Sequence, residues 1–520
     1  MPPLGAQAQT LVGLRIEGPA GVLENTSTGY VAIATFSDGN EYEVTLFVDW
    51  SVDPDTYAII DQFGMLMTQD VPAIVIHAVF TWDEVTLEDT HDVMIFDLED
   101  PSGDPWPMWQ RTPARLGRTS VIGPQTSHIR WAVQYANGGD GGAASATMDA
   151  NGRIFVAGVG VLTCVDSTTR EIVWQFDTQS DSISDPTIWN GRVLFGTPYG
   201  DFHCLNAETG EAVWSFPAPG THFGQAVDDS LPGGVVYFAA AQVDLLYARR
   251  VDDGSEVWTV PTIEVEFSPV SLDLVGRLFF GGLSNVAAAH EAADGQALWV
   301  GPTGWHLHVV PVDGGRVYTS SFGGPLHCLD VETGEVIWTF EDVVTNVGAI
   351  AIGHDGAVYI AEATSTGDLI AVSVDGQELW RYDVDQQVVI PPIVAGDGTI
   401  YMGSLLSPNQ GKVHAVRSDG TALWVKDMPD FVWASPMLAP DGTLYVVCRD
   451  AFLYAFRDPA KGDVSLNDVI DGRDIRFFIE VLFAVDDDEI RHFAADMNGD
   501  GVVDVNDVPL FVDVLLTLAS

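Results

Sequence analysis

Residues 186–216 read PTIWNGRVLFGTPYGDFHCLNAETGEAVWSF, and residues 310–340 keep the same order in VPVDGGRVYTSSFGGPLHCLDVETGEVIWTF. Each copy predicts four short strands separated by turns. The Asn-Gly, Gly-Gly and Thr-Gly pairs mark tight hairpin turns, because Gly and Asn readily adopt the positive φ that such turns need. Tryptophans recur in the fourth strand at spacings of 39 to 44 residues: Trp131, Trp174, Trp214, Trp258, Trp299, Trp338, Trp380 and Trp424. A period of about 40 residues with four strands per unit predicts the blades of a β-propeller.

The repeats occupy residues 127–457, and the last of them is incomplete. It reads SPMLAPDGTLYVVCRDAFLYAF and stops after its third strand, without a tryptophan. The segment HIRWAVQY, residues 128–135, lies just before the first complete unit and has the pattern of the missing strand. We expect the two to pair, which closes an eight-bladed ring and leaves no free sheet edge.

Residues 11–98 consist of short runs of alternating apolar and polar residues, which predict a β-sandwich. The runs ATFSDG, VDWSVD around Trp50, and IVIHAVFT resemble those of the bacterial immunoglobulin-like group 2 domains of exported and surface proteins. The resemblance implies an extracellular spacer or adhesion module, with Trp50 in its core. Residues 99–126 are rich in Pro, Gly and Arg without periodicity, and we expect a linker there.

The tails LNAETGEAVW and LDVETGEVIW of the central repeat resemble the pyrroloquinoline-quinone-type repeat family. That family contains quinone-dependent dehydrogenases and also non-catalytic outer-membrane assembly lipoproteins. The dehydrogenases hold their quinone over a disulfide between adjacent cysteines. The four cysteines here, Cys164, Cys204, Cys328 and Cys448, are far apart and lie in apolar strand patterns. We therefore expect buried free thiols and no pyrroloquinoline quinone.

The last region, residues 462–520, carries two acidic loops, each followed by apolar residues at helical spacing. Oxygen side chains stand at positions 1, 3, 5, 9 and 12 of each loop: Asp463, Ser465, Asn467, Asp471 and Asp474 in the first, and Asp496, Asn498, Asp500, Asp504 and Asp507 in the second. This pattern predicts two calcium ions. It resembles a type I dockerin with Asp at position 12, which implies a cohesin-like or cell-surface partner. The first loop has Asp468 at position 6, where Gly is usual.

A third set of candidates lies on the loops that join the outer strand of one blade to the inner strand of the next. These loops cluster at one face of a propeller and here carry His222, Phe223, Phe267, Trp305, His306, His308 and Trp433. Exposed aromatic rings at this face could stack on a glycan or grip a protein. The same rings could instead fill the channel or the space between blades. Three of the residues, the histidines, could alternatively bind a metal.

The chain of 520 residues has 22 basic and 74 acidic side chains, a formal net charge of −52. Such a surface repels phosphate backbones and anionic lipids, so neither nucleic-acid binding nor membrane insertion is expected. The N-terminus MPPLGAQAQT lacks the basic and apolar regions of a signal peptide, and export is inferred from the domains instead. The predicted location is extracellular or at the cell surface.

Together these patterns predict a mainly β, exported, non-catalytic protein with a sandwich, an eight-bladed propeller and a small helical calcium-loop domain. The tail would attach the protein to its partner while the propeller presents a binding face. Two alternatives remain open. One is a secreted polysaccharide-degradation component or quinoprotein-type oxidoreductase carried by the same tail, and the other is a structural surface-layer protein.

Overall fold

The architecture was analysed in a computed structural model of the chain. The residues that the structure describes are 10–17, 21–23, 27–53, 58–60, 65–68, 73–82, 85–96, 108, 116–136, 144–178, 180, 184–197, 200–220, 224–228, 233–262, 268–273, 275–282, 286–303, 306–312, 315–321, 323–362, 364, 367–388, 390–406 and 409–518. Among these residues, no helix combines the length and the apolar character of a membrane span.

The N-terminal region is built from three small sheets and one turn of 3-10 helix, Thr45–Phe47. The sheets contain Leu11–Glu17, Val31–Phe36 and Glu41–Glu43; Gly21–Leu23, Val85–Phe96, Ala73–Trp82 and Asp49–Asp53; and Ser27–Gly29, Met65–Thr68 and Ala58–Ile60. Alternate residues of facing strands, such as Ala34 and Phe36 against Ile76 and Phe80, form one core. Trp50 packs at the edge of that core and stays half-buried, donating its indole N–H to the Thr45 carbonyl at 3.0 Å. The predicted sandwich is confirmed, but Trp50 is a border residue and not a central one.

Eight four-stranded antiparallel sheets follow, and we number them as blades 1 to 8. Their strands, from the innermost outward, are Thr147–Met148, Arg153–Gly158, Val161–Asp166 and Ile172–Asp177 (blade 1); Thr187–Trp189, Arg192–Gly196, Asp201–Asn206 and Ala212–Pro217 (blade 2); Ala226–Asp228, Val235–Ala240, Leu245–Arg250 and Glu256–Pro261 (blade 3); Ser271–Leu272, Arg277–Gly282, Val286–Glu291 and Ala297–Thr303 (blade 4); His306–Val312, Arg316–Ser321, Leu326–Asp330 and Val336–Phe340 (blade 5); Thr345–Ile352, Val358–Glu362, Asp368–Val372 and Glu378–Asp383 (blade 6); Ile393–Val394, Ile400–Leu406, Gln410–Val416 and Ala422–Met428 (blade 7); and Met437–Leu438, Leu444–Cys448, Phe452–Phe456 and Ile129–Gln134 (blade 8).

The repeated tryptophan connects each blade to the next one. In blades 1 to 7 its indole N–H donates to a backbone carbonyl outside its own blade, at 2.8 to 3.1 Å; the pairs are Trp174 and Ala207, Trp214 and Val251, Trp258 and Ala292, Trp299 and Val331, Trp338 and Val374, Trp380 and Ser418, and Trp424 and Pro124. In blades 1 to 6 the ring also lies against the glycine of the next blade's outer turn. A Cβ on Gly334, whose φ is +71°, would lie 2.5 Å from the Trp299 ring. The Thr-Gly turn is therefore needed both for its conformation and for the space beside the ring.

Blade 8 closes the ring as the sequence predicts. Its outer strand, Ile129–Gln134, pairs antiparallel with Phe452–Phe456, and Trp131 stands opposite Ala455. A single hydrophobic core runs from blade 7 through blade 8 into blade 1, with Trp424, Tyr445 and Met148 among its members. Joining the N-terminal strand to the last blade removes the sheet edge that the incomplete repeat would leave.

Residues 116–126, the second half of the predicted linker, are bonded to the propeller. Gly117 O accepts the Val394 N–H at 2.7 Å, and Thr119 N–H donates to Val394 O at 2.9 Å, so the segment runs beside the innermost strand of blade 7. Further along, Pro124 O takes the Trp424 indole N–H, in the role that an outer-turn carbonyl has in the other blades. This segment thus belongs to the propeller, so the predicted linker does not extend to residue 126; its residues 99–107 and 109–115 lie outside the described residues.

The C-terminal region contains three helices: α1, Asp474–Leu482; α2, Glu489–Ala495; and α3, Asp507–Leu518. Helices α1 and α3 follow the acidic loops, as expected, and Phe478 stacks on Phe511 with ring centroids 4.1 Å apart. Helix α2 was not predicted. It is capped by Asp488, whose carboxylate accepts the Ile490 and Arg491 N–H groups, and its Ala494 and Ala495 complete the small core.

Candidate functional site

The two ends of the first acidic loop are held by buried carboxylates. Asp463, at position 1, accepts the N–H groups of Asn467 and Asp468 at 3.0 and 2.8 Å. Asp474, at position 12, accepts those of Ser465 and Asp471 at 2.8 and 2.7 Å. Both carboxylates are almost fully buried, because the loop folds around them.

The second loop has the same construction. Asp496 accepts the N–H groups of Gly499, Asp500 and Gly501, at 2.9 to 3.2 Å, and Asp507 accepts those of Met497, Asn498 and Asp504. Lys461 Nζ lies 3.8 Å from an Asp496 oxygen. Asp507 is fully buried, and no cation of the described residues pairs with it. The two loops are therefore equivalent in structure as well as in sequence.

The donor set of the loops consists of carboxylate, amide and hydroxyl oxygens, which suit a hard divalent cation such as Ca²⁺. The side chains at positions 3, 5 and 9 of each loop are exposed or half-buried. Within the described part of the chain, no three carboxylates, imidazoles or thiols converge on one point. The position 12 carboxylates instead face the backbone N–H groups of their own loops. The residues fit calcium by their chemistry, and an ion would have to draw these oxygens inward.

Position 6 of the first loop contacts the propeller. Asp468 has a φ of +64°, a conformation in which Gly is usual and Asp is tolerated. Its carboxylate lies 2.8 Å from Arg130 Nε, on the closing strand of blade 8, and 3.7 Å from an amino group of Arg170, on the outer turn of blade 1. The departure from Gly thus supplies an ion-pair partner to the propeller, which sequence reasoning did not predict.

Of the candidates at the propeller face, Trp433 has a described side chain. It is 37% exposed and stacks on Phe431, with ring centroids 5.5 Å apart. Arg449 lies over both rings, 5.4 and 5.5 Å from their centroids. Sequence reasoning missed Arg449, because it lies in a different loop of blade 8. His306 and His308 belong to the inner strand of blade 5, opposite Ser321 and Ser320, but their side chains lie outside the described residues. The other candidates, His222, Phe223, Phe267 and Trp305, also lie outside the described residues.

The cysteines are buried free thiols, as predicted. Burial raises the pKa of Cys164, Cys204, Cys328 and Cys448 to about 12, so the thiols stay protonated near neutral pH. Each lies in a different blade, and no two are adjacent in the chain. This arrangement does not fit a quinone stacked on a disulfide between neighbouring cysteines.

A sequence comparison matches residues 116–340 and 342–476 to the family described as outer membrane protein assembly factor BamB. The chain belongs to this family. The match begins at the segment that packs on the innermost strands and includes all eight blades. At its C-terminal end the match continues past the last propeller strand, Phe452–Phe456, to residue 476, and so includes the first acidic loop and the start of α1.

Curated relatives include the BamB proteins of Yersinia pestis, 23% identical over 46% of this chain and 66% of the relative, and of Nitrosomonas eutropha, 26% identical over 41% and 54%. The quinoprotein alcohol dehydrogenase PedH of Pseudomonas putida is 24% identical over 34% of this chain and 35% of its own length. The chain thus matches about a third to two thirds of the length of these three relatives.

Solved structures give the same fold at lower identity. The quinohemoprotein alcohol dehydrogenase of Comamonas testosteroni has a TM-score of 0.56 at 13% identity, covering 68% of this chain and 80% of that one. BamB of Moraxella catarrhalis has a TM-score of 0.51 at 17% identity, covering 64% and 99%. At these identities the likeness shows the propeller fold, which enzymes and assembly factors share.

Proposed function

We propose that this protein is an exported, non-catalytic binding protein, attached through its calcium-ordered tail to a cohesin-like or cell-surface partner, with the propeller presenting a second binding face. The observation that carries the proposal is the outer surface of the tail. Its two equivalent helices, α1 and α3, each expose a row of large apolar side chains.

The row on α1 consists of Ile475, Ile479 and Phe483, at intervals of four residues and therefore on one face of the helix. Phe483, just after the helix, is 72% exposed. The row on α3 consists of Val512 and Leu516, with Val505 in the loop before it. A domain this small needs most of its apolar residues in its core. Contiguous apolar residues exposed to solvent are typical of interaction surfaces.

Calcium fits the proposal because each loop buries a position 12 carboxylate that forms no ion pair with a basic side chain among the described residues. Asp474 and Asp507 are fully buried and make their contacts with backbone N–H groups. Bound Ca²⁺ would supply the compensating positive charge and fix the start of each helix. The apolar rows on α1 and α3 would then have defined positions, and partner binding would depend on calcium.

The test is capture of partners from secreted and envelope fractions by the full-length chain, in calcium and in EGTA. Ile479→Glu and Leu516→Glu place a charge in each apolar row. Val275→Glu, at a similarly exposed apolar position in a propeller turn, is the matched control. We expect the native chain and Val275→Glu to capture the partner in calcium only, and both tail variants to lose it. Capture that is indifferent to EGTA and to the tail variants would contradict the proposal.

Family membership favours a second candidate function. The relatives of Yersinia pestis and Nitrosomonas eutropha are named outer membrane protein assembly factors, and the family match covers all eight blades but stops at residue 476, within the tail. The propeller could accordingly bind a protein of an outer-membrane assembly. Partner capture that persists in EGTA, and in both tail variants, would favour this second function.

A further inference from the structure

We propose that Phe431, Trp433 and Arg449 form a binding site for a uronic acid residue of an oligosaccharide. The inference extends the proposed function, on which it rests, by giving the propeller face a ligand class. Phe431 and Trp433 lie between the outer strand of blade 7 and the innermost strand of blade 8, while Arg449 lies in the hairpin after Leu444–Cys448. The Arg449 N–H donates to the Phe431 carbonyl at 3.0 Å, which joins the two loops.

The first argument is the ion pairing of Arg449. No ion pair connects its guanidinium to a carboxylate among the residues that the structure describes, although acidic residues outnumber basic ones 74 to 22 in the chain. The nearest acidic residues in the sequence are engaged elsewhere. Asp450 accepts the Tyr454 hydroxyl at 2.6 Å, and Asp430 accepts the Phe431 N–H at 2.8 Å. Arg449 therefore keeps donors for an anion from outside.

Geometry supplies the second argument. A guanidinium that lies over aromatic rings uses its flat face for the contact and keeps the N–H groups of its edge free. Those N–H groups match the two oxygens of a carboxylate. Beside them, Trp433 is 37% exposed, and the part of its indole that Phe431 and Arg449 leave uncovered is an apolar surface against which a pyranose ring can pack through its C–H groups. A uronic acid carries both features, a carboxylate and a flat C–H face, on one ring.

The net charge of the chain limits how many acidic groups its ligand can carry. A partner with many negative charges would be repelled by a chain of net charge −52. An oligosaccharide brings one carboxylate per uronate and otherwise neutral hydroxyl groups. A short oligosaccharide with few uronates therefore meets less repulsion than a long polyanion and still pairs with Arg449, and its pyranose C–H face, which an acidic peptide lacks, favours it over a peptide.

The test is isothermal titration of the full-length chain with trigalacturonic acid and with its methyl ester, which keeps the rings and removes the charge. We expect the acid to bind at least tenfold more tightly than the ester. Arg449→Gln should weaken acid binding by about ten to a hundredfold, since bonds to charged groups are the strong ones. Arg449→Lys should have an intermediate effect, because it keeps the charge and loses the paired donors. Trp433→Leu should weaken binding of acid and ester alike.

The matched control is Arg457→Gln. It removes the same charge from the same blade, but Arg457 already pairs with Asp441, at 2.6 Å. It should leave saccharide binding unchanged. The proposal is overturned if trigalacturonic acid does not bind, if acid and ester bind equally, or if Arg449→Gln and Arg457→Gln behave alike. Binding of a glutamate-rich peptide in place of the saccharide would overturn it as well.

The titration is made in calcium and in EGTA, which separates this inference from the proposed role of the tail. Saccharide binding should persist in EGTA. Its loss in Arg449→Gln with partner capture intact would support the site on the propeller. If the saccharide does not bind but calcium-dependent partner capture is intact, the site on the propeller is refuted and the role of the tail is not. If the saccharide binds but partner capture does not depend on calcium, the role of the tail is refuted and the site on the propeller is not.

Discussion

Arg170 and Asp468 lie 3.7 Å apart, and both occupy positions where related segments of this chain have Gly. Arg170 stands in the outer turn of blade 1, where six other blades place Gly, and has a φ of +65°. Asp468 stands at position 6 of the first acidic loop, where the second loop has Gly501. Both residues adopt a conformation that costs non-Gly residues stability, and both contribute to the contact between tail and propeller.

This contact should be measurable as a coupling between Arg130 and Asp468. Asn tolerates a positive φ, so Asp468→Asn removes the charge without a new backbone penalty. We expect Asp468→Asn and Arg130→Gln to be non-additive by about 0.5 kcal/mol, as for other partly exposed pairs. The measurement is a double-mutant cycle on the free energy of unfolding. Strict additivity would show that the pair contributes nothing.

The contact between Trp299 and Gly334 predicts a steric effect that can be separated from the backbone effect. Gly334→Ala places a methyl group against the Trp299 ring, whereas Gly315→Ala meets nothing within 4 Å. Both positions have positive φ, at +71° and +85°, so the strained backbone conformation should lower the stability of both variants by a similar amount. Gly334→Ala should therefore be the less stable by about 1 to 3 kcal/mol in denaturant unfolding. Equal stabilities would contradict the close contact.

The Pro124 carbonyl accepts two hydrogen bonds, from the Trp424 indole at 2.9 Å and the Tyr401 hydroxyl at 3.0 Å. Trp424→Phe with Tyr401→Phe removes both donors. We expect a loss of about 2 kcal/mol, at about 1 kcal/mol per bond. Hydrogen exchange should quicken at Thr119 in this variant. In the control Trp338→Phe, exchange at Thr119 should not change, since Trp338 donates to Val374.

Buried His414 predicts acid sensitivity of the propeller. Burial lowers its pKa to about 3, and its ring nitrogens contact the Ser404 and Tyr382 hydroxyls at 3.0 and 3.3 Å. The unfolded chain binds a proton near pH 6.5 and the folded chain does not, so stability falls as the pH drops from about 6.5 towards 3.

His414→Gln should reduce that pH dependence by up to about 1.4 kcal/mol per pH unit between pH 6 and 4, while lowering stability at pH 7. The measurement is the free energy of unfolding in urea across this pH range. Parallel curves for the native chain and the variant would show that His414 titrates normally in the folded state.

Calcium stoichiometry tests the two loops directly. Isothermal titration of the native chain should show two ions, and Asp507→Ala should remove one of them, because position 12 is a principal ligand. Asp513→Ala removes an exposed carboxylate from α3 and serves as the control. Two ions in Asp507→Ala, or none in the native chain, would refute the assignment of the loops.

The family and fold of the central region could be predicted from the sequence, because its determinants are local and repeated. Each Trp, turn glycine and strand pattern recurs about every 40 residues, so the eight copies support one another. Closure was also predictable, since only HIRWAVQY offers the strand that the last copy lacks. The ligand pattern of the acidic loops could be read in the same way, since each loop lies within twelve consecutive residues.

The remaining features depend on contacts between separate loops and between domains. Arg449 meets Trp433 because two loops of blade 8 reach the same face, and Asp468 meets Arg130 across more than 300 residues of chain. The role of Pro124 as acceptor for Trp424 likewise follows from ring closure. The sequence by itself determined the blades, the closing strand and the two acidic loops, because short-range patterns specify local backbone conformation. Only the tertiary structure decided which side chains meet at the seams and faces, because closing the ring brings together residues that no local pattern relates.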